Sequence, residues 1–335
     1  MLTINFVGDM IDFVITWVDG DDPIWQKKFE YFSKFSEGDK RSVRYRNWDL
    51  LRYWFRGVEK YASWVRYVFF VTEGHIPDWI NTECTKLKIV KHSDFIPLDD
   101  LPLFNSRAIE VNLHRIPELS EKFVYFNDDF LIINKINKTF FFRKNLPCDI
   151  AVLNAMDGRG VTDAIMEAVA ILNNQFEKRK VIKNNILKWF NWRYGLFMCR
   201  TIFLLPWPNF TGFYDSHLPT PYLKSVFREV WQKESSILRR TSKSKFRSYG
   251  TVNPYLFRYW QLVTGQFSPI NPSKKAIYLE LRDSNKELIM SIIRKQKKSI
   301  IVLNDSTDIE NFDAFKLELQ GAFNVIFPDK SLFEL

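Results

Sequence analysis

The sequence FVYFNDDFLII, residues 123–133, is a run of apolar residues that Asn127, Asp128 and Asp129 interrupt in its middle. The residues on either side are hydrophobic enough to form a buried β-strand. An uncompensated carboxylate is costly to bury because it loses its hydration. The pattern therefore predicts that a strand ends at the two aspartates and that another group balances their charge.

Strand-like and helix-like patterns alternate through the first 150 residues. Short apolar runs predict strands over 11–18, 65–72 and 87–91. Apolar residues at helical spacing predict helices over 47–60 and 105–116. Such alternation is typical of a mostly parallel central sheet with flanking helices, so the expected fold class is α/β.

The chain changes character after residue 150. Residues 164–204 are helical in pattern, and the stretch 178–200 contains seven Lys or Arg residues together with Trp189, Trp192 and Tyr194. This stretch is either a solvated helical face or an interfacial segment that contacts anionic lipid. A second helical block, with a basic stretch at 239–247, is predicted over 217–262.

Length and charge limit the possible classes of protein. The chain has 335 residues and a net charge of +9, which favours anionic partners such as nucleic acid, phosphorylated metabolites or an acidic membrane surface. No apolar run approaches the roughly 18 residues that a membrane span requires. The N-terminal sequence lacks the layout of a signal peptide. A cytoplasmic protein is therefore expected.

Acidic residues follow three predicted strands. Asp19 follows the first strand, Asp128 and Asp129 interrupt the opening stretch, and Asp305 follows the apolar run 299–303. In open α/β sheets, ligands bind beyond the carboxyl ends of the strands. Mg²⁺ is commonly held there by one or two carboxylates together with phosphate oxygens. Asp and Asn are also common turn residues, so the pattern leaves both a metal site and ordinary turns open.

Four blocks of the sequence resemble those of a known family. IDFVITWVDGDD, residues 11–22, is similar to the first block of the Stealth family, bacterial sugar-phosphate transferases of capsule synthesis related to the eukaryotic N-acetylglucosamine-1-phosphotransferase. The other blocks are matched, in order, by residues 46–81 with 101–132, by 217–231 with 241–250, and by 299–308 with 327–335. Residues 133–215 match less well and are expected to adapt the core to its own acceptor or to a membrane.

The resemblance implies a reaction and a domain organisation. Hexose-1-phosphate or N-acetylhexosamine-1-phosphate would move from a UDP-sugar to a hydroxyl of a growing polysaccharide, with release of UMP. Residues 1–335 would form a single catalytic domain of the nucleotide-sugar-transferase type. Within it, 1–150 would bind the nucleotide sugar, 151–216 would be a variable helical and aromatic insertion, and 217–335 would complete the active site.

Positions that match the family's motifs receive catalytic roles. Asp129, with Asp128 beside it, would hold Mg²⁺ or Mn²⁺ on the diphosphate or orient the nucleophile, and Asp305 is the third predicted metal ligand. His217 would act as general base or acid, since its ordinary pKa suits proton transfer near neutral pH. Arg247 offers a planar pair of donors to phosphoryl oxygens.

Donor binding is assigned to six residues at the end of the first strand and in the segment 105–110: Trp17, Asp19, Gly20, Asn105, Ser106 and Glu110. Trp17 would stack on the base, and Asp19 and Gly20 would lie against ribose or phosphate. Amides at the predicted helix start would bind anionic oxygens. Structural alternatives are that Trp17 is a core residue, that Ser106 is a helix cap and that Glu110 is a surface residue.

The expected partners are a UDP-sugar donor, a lipid-linked glycan acceptor and, by peripheral contact, the cytoplasmic face of the cell membrane. No recognised nucleic-acid-binding module is present, so nucleic acid is not expected as a partner. Two other functions stay open. One is a metal-dependent glycosyltransferase that releases UDP, and the other is a non-catalytic glycan-binding subunit of a polysaccharide assembly machine.

Overall fold

The computed structural model describes residues 10–36, 38–40, 46–156 and 163–335. The strands in these ranges are β1 (Ile11–Thr16), β2 (Val68–Thr72), β3 (Leu87–Lys91), β4 (Lys122–Phe126), β5 (Phe130–Ile132), β6 (Phe142–Arg143), β7 (Leu146–Asp149), β8 (Thr220–Leu223), β9 (Ser268–Pro269), β10 (Ala276–Glu280) and β11 (Ile300–Asn304). The α-helices in the same ranges are α1 (Pro23–Ser33), α2 (Leu51–Tyr61), α3 (Ser106–Glu110), α4 (Asp163–Gln175), α5 (Lys178–Asn184), α6 (Ile186–Trp189), α7 (Met198–Leu204), α8 (Lys224–Lys233), α9 (Ser235–Ser242), α10 (Tyr255–Val263), α11 (Lys286–Arg294) and α12 (Phe312–Ile326).

The central sheet has five strands in the order β3-β2-β1-β4-β8. β1 pairs in parallel with β2 and with β4, and β2 pairs in parallel with β3. The edge strand β8 runs antiparallel to β4. Every residue of β2 and β4 is buried, as expected for parallel strands that are covered on both faces. The predicted α/β fold with a mostly parallel sheet is therefore confirmed.

The opening stretch 123–133 forms two strands that belong to different sheets. β4 ends at Phe126, and β5 begins at Phe130 and pairs antiparallel with β11. β11 in turn pairs in parallel with β10, which gives a second sheet of three strands. Asn127, Asp128 and Asp129 form the turn between the two sheets, closed by the Phe130 N–H, which donates to the Asn127 carbonyl at 3.2 Å. The predicted strand end is confirmed, and the second half of the run starts a new strand.

The turn cluster after β1 contains the start of a helix. Asp22 caps α1, since its carboxylate accepts a hydrogen bond from the Trp25 N–H at 2.6 Å. Pro23 occupies the first turn, where a backbone N–H has no intrahelical acceptor and proline therefore loses no hydrogen bond. The polar connection between β1 and α1 is therefore short.

Two predicted helical segments also contain other structure. The segment 105–116 forms the short helix α3 and then a 3₁₀ turn over Leu113–Arg115. The block predicted over 217–262 begins with β8, which joins the sheet beside β4 before α8 starts at Lys224. Strand pairing depends on a distant partner, so helical periodicity could not reveal β8.

The basic and aromatic stretch 178–200 is divided between interior and surface. Trp189 and Tyr194 are fully buried, so these two rings take part neither in a solvated face nor in a contact with lipid. Lys178 is buried as well, whereas Trp192 is 75% exposed. Within the described ranges, no helix combines the length and the apolar character needed to cross a membrane.

Helix α2 joins the two sheets. Leu51, Trp54 and Phe55 pack in the main core with β1 to β4, while Leu50 and Tyr53 pack in a second core with β5, β11, α11 and α12. Gly57 makes the closest approach, because a Cβ atom built there would lie 2.2 Å from the Ile132 carbonyl oxygen of β5. Even a methyl group at this position therefore requires the helix and the strand to separate.

Gly57→Ala is expected to lower the free energy of unfolding by about 1–3 kcal/mol, because overpacking outweighs the gain in helix propensity. Urea denaturation followed by circular dichroism measures the change. Gly321→Ala is the matched control, since Gly321 also lies in a helix and nothing lies within 4 Å of its added Cβ. The control is expected to gain up to about 1 kcal/mol. Equal behaviour of the two variants would contradict the tight contact between α2 and β5.

Candidate active site

A cavity of about 750 Å³ opens beyond the carboxyl ends of β1 and β4 and is also lined from β10 and from the end of β11. Nine of the predicted site residues line it: Trp17, Asn105, Ser106, Glu110, Asp128, Asp129, His217, Arg247 and Asp305. They come from both the first 150 residues and the region after 216. Residues far apart in sequence are thus brought to one site at the predicted edge of the sheet.

Asp19 and Gly20 are not among the lining residues. The Asp19 N–H donates to His75 Nε2 at 2.9 Å, and the Asp19 carboxylate accepts from the Asp21 N–H at 3.0 Å. The Gly20 carbonyl accepts from the side-chain amide of Gln26 at 2.9 Å. These contacts shape the turn between β1 and α1. Contact of the two residues with a donor stays a prediction that the cavity lining does not support.

Trp17 is partly core and partly cavity wall. Its ring stacks on Phe70 with centroids 5.7 Å apart and meets the His75 ring edge-on at 5.3 Å. The side chain remains partly exposed toward the cavity. The structural alternative and the stacking role predicted from sequence are therefore compatible.

The carboxylates of Asp128 and Asp129 form the acidic centre of the cavity. Asp128 is exposed and Asp129 is half-buried. Partial loss of hydration raises the pKa of Asp128, and loss of hydration together with the charges of Asp128 and Asp305 raises the pKa of Asp129 well above its usual range. Among the described residues, neither carboxylate has a cationic partner. The pair is an uncompensated concentration of negative charge.

Asp305 is engaged elsewhere. Arg46 binds its carboxylate with two donors, one of them Nε at 2.8 Å, and also donates to the Ser306 carbonyl at 2.9 Å. The Arg46 guanidinium lies over the Phe312 ring at 4.5 Å. Asp305 is thus held in a bidentate ion pair at the cavity wall.

The predicted set of three metal ligands is therefore not assembled. Among the described residues, no three His, Cys, Asp or Glu side chains are grouped closely enough to hold a metal ion. Asp128 and Asp129 remain as a pair. Such a pair matches the one or two protein carboxylates that Mg²⁺ uses when phosphate oxygens supply other ligands.

The charge of the lining supports the same interpretation. Seven carboxylates line the described part of the cavity, from Asp39, Glu110, Asp128, Asp129, Asp215, Glu280 and Asp305, against three guanidinium groups, from Arg46, Arg107 and Arg247. Arg46 is paired with Asp305 and Arg107 with Asp163, while Asp215 faces Arg258 and Glu280 is paired with Arg282. A diphosphate placed beside Asp128 and Asp129 would need an accompanying cation, because its charge has the same sign as theirs.

Arg247 is oriented by a hydrogen-bonded network. Its guanidinium donates to Ser106 Oγ at 2.8 Å, and its charge opposes the rise in the pKa of Glu110 that burial causes. The Tyr125 hydroxyl donates to Glu110 Oε1 at 2.9 Å and lies 2.8 Å from Thr16 Oγ1. Glu110 is therefore an interior residue whose charge attracts the Arg247 guanidinium, and the structural alternative of a surface location does not hold.

Asn105 connects α3 to the segment that carries Arg247. Its side chain accepts from the Arg107 N–H at 3.2 Å and so caps α3. The same amide donates to the Ser244 carbonyl at 3.1 Å and to the Phe246 carbonyl at 3.2 Å. Asn105 is the cap, so Ser106 keeps its hydroxyl for Arg247.

His217 is held by groups that sequence patterns did not reveal. The backbone N–H of His217 donates to Asp215 Oδ1 at 2.8 Å, and the backbone φ of His217 is +46°. Nδ1 lies 3.3 Å from the Tyr255 hydroxyl, and Tyr278 meets the ring edge-on at 5.2 Å. Burial lowers the pKa of His217, while the Asp215 carboxylate opposes this shift. The imidazole is therefore neutral near pH 7 and able to accept a proton.

Comparison with known proteins gives matches along nearly the whole chain. Residues 10–34 match the family model of Stealth protein conserved region 1, and residues 44–149 match conserved region 2. The capsular polysaccharide phosphotransferase WcwK of Streptococcus pneumoniae is 41% identical over 331 residues, which are 97% of this chain and 98% of that protein.

Other relatives have the same extent. The exopolysaccharide phosphotransferase cps2G of Lactiplantibacillus plantarum is 38% identical over 97% of this chain and 96% of its own. The receptor polysaccharide phosphotransferase WefC of Streptococcus gordonii is 35% identical over 98% of this chain and 99% of its own. Among solved structures, the galactosyltransferase LgtC superimposes with a TM-score of 0.41 at 10% identity, over 94% of this chain and 95% of that chain.

Asp215→Asn is expected to lower the pKa of His217 further, because it removes the negative charge that favours the imidazolium. The amide oxygen can still accept the His217 N–H. An NMR pH titration of the four imidazoles measures the pKa, with His217→Gln identifying the signal. Asp313→Asn, an exposed substitution in the first turn of α12, is the control. An unchanged or higher pKa in the Asp215 variant would contradict this electrostatic coupling.

Proposed function

The chain belongs to the family of polysaccharide phosphotransferases that contain the Stealth conserved regions, and from this premise we propose the reaction that it catalyses. The enzyme transfers hexose-1-phosphate or N-acetylhexosamine-1-phosphate from a UDP-sugar to a hydroxyl of a growing capsular or exopolysaccharide, and releases UMP. Its relatives support sugar-phosphate transfer in the synthesis of such polysaccharides. The observation that carries the proposal is the convergence of Asp128, Asp129, His217 and Arg247 on one cavity.

The acidic pair accounts for binding of the diphosphate. Asp128 and Asp129 would hold Mg²⁺ or Mn²⁺, which would neutralise charge on the diphosphate oxygens when bound. Arg247, oriented by Ser106 and Glu110, donates to the transferred phosphoryl group. Phosphoryl transfer leaves little covalent chemistry to the protein, so positioning and neutralisation of charge account for most of the rate.

His217 removes the proton from the attacking hydroxyl. Nδ1 faces the Tyr255 hydroxyl, so Nε2 is the nitrogen that meets the acceptor. The acceptor oxygen forms a bond to the β-phosphorus, the bond from that phosphorus to the bridging oxygen breaks, and UMP leaves. The bond between the sugar C1 and its oxygen stays intact, and the proton passes to His217.

Donor and acceptor occupy different parts of the cavity in this proposal. Trp17 stacks on the uracil base, and Asn105, Ser106 and Glu110 hold the phosphate-binding wall in place. The acceptor is a lipid-linked glycan, so the enzyme works in the cytoplasm with peripheral contact to the cell membrane.

A glycosyltransferase that releases UDP is the second candidate, because a pair of carboxylates at a strand end serves that chemistry equally well. A non-catalytic glycan-binding subunit would have no use for His217 and Arg247 in orientations that suit proton transfer and phosphate binding.

The identity of the released nucleotide distinguishes the two reactions. Purified protein is incubated with magnesium, a panel of UDP-hexoses and UDP-N-acetylhexosamines, and a glycan acceptor, and the nucleotide is identified by chromatography. We expect UMP that forms only with acceptor and that falls by about 10²-fold or more in His217→Ala or Arg247→Ala. UDP as the sole product would overturn the proposed reaction and favour the glycosyltransferase.

Asp129→Asn tests the acidic pair separately. It should abolish most activity but leave the protein at least as stable as the wild type, because the charged form of Asp129 is disfavoured in the fold. Since the pKa of Asp129 is raised, its ionisation destabilises the fold as pH rises through that pKa.

Thermal melting provides a readout that does not depend on turnover. Mg²⁺ or Mn²⁺ should raise the melting temperature of the wild type but not of Asp129→Asn. EDTA should abolish the transferase activity of the wild type. The exposed substitution Asp78→Asn is the matched control. Wild-type activity that survives EDTA would remove the divalent cation from the mechanism.

A further inference from the structure

A short part of the chain exposes an unusual number of large apolar side chains. Seven of them lie between residues 186 and 207, whereas nineteen are exposed in all the described residues. We call this set the apolar surface: Ile186, Leu187, Trp192, Leu196, Ile202, Phe203 and Trp207. Leu187 is 80% exposed and Leu196 is 88% exposed. Concentrations of exposed apolar residues in one place mark interaction sites.

Basic residues accompany the apolar surface. The sequence has no Asp or Glu from 178 to 214 but contains seven Lys or Arg residues. Four of these are exposed: Arg179, Lys180, Lys183 and Arg200, of which Lys180 is paired with the exposed Glu177 carboxylate at 2.7 Å. Arg193 places its guanidinium 4.7 Å from the centroid of the Trp192 ring. The surface therefore combines apolar side chains with positive charge.

Buried groups beneath the surface hold it in shape. The Lys178 ammonium donates to the Leu204 carbonyl at 2.6 Å and to the Trp207 carbonyl at 2.7 Å, which fixes the end of α7. The Tyr194 hydroxyl donates to the Lys188 carbonyl at 2.7 Å, and Trp189 is fully buried. The exposed side chains are thus supported by a packed underside and do not need the interior to rearrange on binding.

The surface adjoins the segment that leads to the active site. Phe197 packs against Tyr214 with centroids 4.7 Å apart, and the Arg200 guanidinium lies 5.6 Å from the same ring. Tyr214 precedes Asp215, which lines the cavity and accepts the His217 N–H. A partner bound at the apolar surface would therefore lie close to the catalytic cavity.

We propose that the apolar surface and its basic residues dock on an anionic lipid membrane. Apolar and aromatic side chains enter the boundary of headgroups and acyl chains, while Lys and Arg attract anionic headgroups. A second copy of the chain fits less well, because a twofold dimer would bring two copies of the same positively charged surface together. The proposal rests on the proposed function only for the lipid-linked acceptor, which the docked enzyme would meet at the membrane.

Sedimentation with vesicles tests this surface in the absence of donor and acceptor. The wild type is expected to bind vesicles of phosphatidylglycerol and phosphatidylcholine, to bind more weakly as salt rises, and to leave vesicles of phosphatidylcholine alone largely unbound. Leu187→Glu with Leu196→Glu should weaken binding at least about tenfold. Lys180→Gln with Lys183→Gln should weaken it about fivefold or more.

Leu317→Glu with Val325→Glu is the matched control, because it adds the same charge at exposed apolar positions of α12. It should bind within about twofold of the wild type, since the two glutamates lie outside the apolar surface. Circular dichroism confirms that each variant is folded.

Wild type that does not bind anionic vesicles, or equal binding by the Leu187/Leu196 variant, would overturn the proposal. Light scattering that shows a dimer, lost in that variant without any vesicle binding, would assign the surface to a second copy. Vesicle binding together with release of UDP would instead contradict only the proposed reaction.

Discussion

The site depends on a turn of three residues that is shared by two sheets. The chain leaves the main sheet at Phe126 and enters the second sheet at Phe130, so Asn127, Asp128 and Asp129 must lie where the two sheets meet. The Asp129 carbonyl accepts the Leu303 N–H at 3.0 Å, which ties the turn to the end of β11. Burial of apolar strands on both sides holds the two carboxylates in a place that their mutual repulsion disfavours.

Much of the main sheet could be predicted because parallel, fully covered strands are continuous apolar runs. β3 was predicted with its observed bounds, and β1, β2 and α2 within a few residues. Strands could not be predicted from the sequence where their pairing partners lie far away along the chain. β8 is a strand because it lies beside β4, and β5 is separate from β4 because β11 receives it. Neither fact is visible in the periodicity of a single segment.

In the site, too, some features could be predicted from the sequence and others could not. The strand-end rule correctly brought the Asp128 and Asp129 pair to one cavity with His217 and Arg247, which the family's motifs supplied. The groups that orient these residues were missed, since the hydrogen bond between Tyr255 and His217 joins positions with no characteristic spacing. Asp305 was placed correctly at a strand end, but Arg46, far away in sequence, engages its carboxylate.

The contact of Gly57 with Ile132 has a consequence for motion. Many transferases open by a hinge between two lobes, which requires an interface that can part at small cost. Here the helix backbone lies directly against the carbonyl of β5, and the same helix is embedded in both cores. Rotation of the second sheet away from the first would break that packing, so the width of the cleft is set by the fold. Exchange of reactants therefore cannot depend on a hinge between the two sheets.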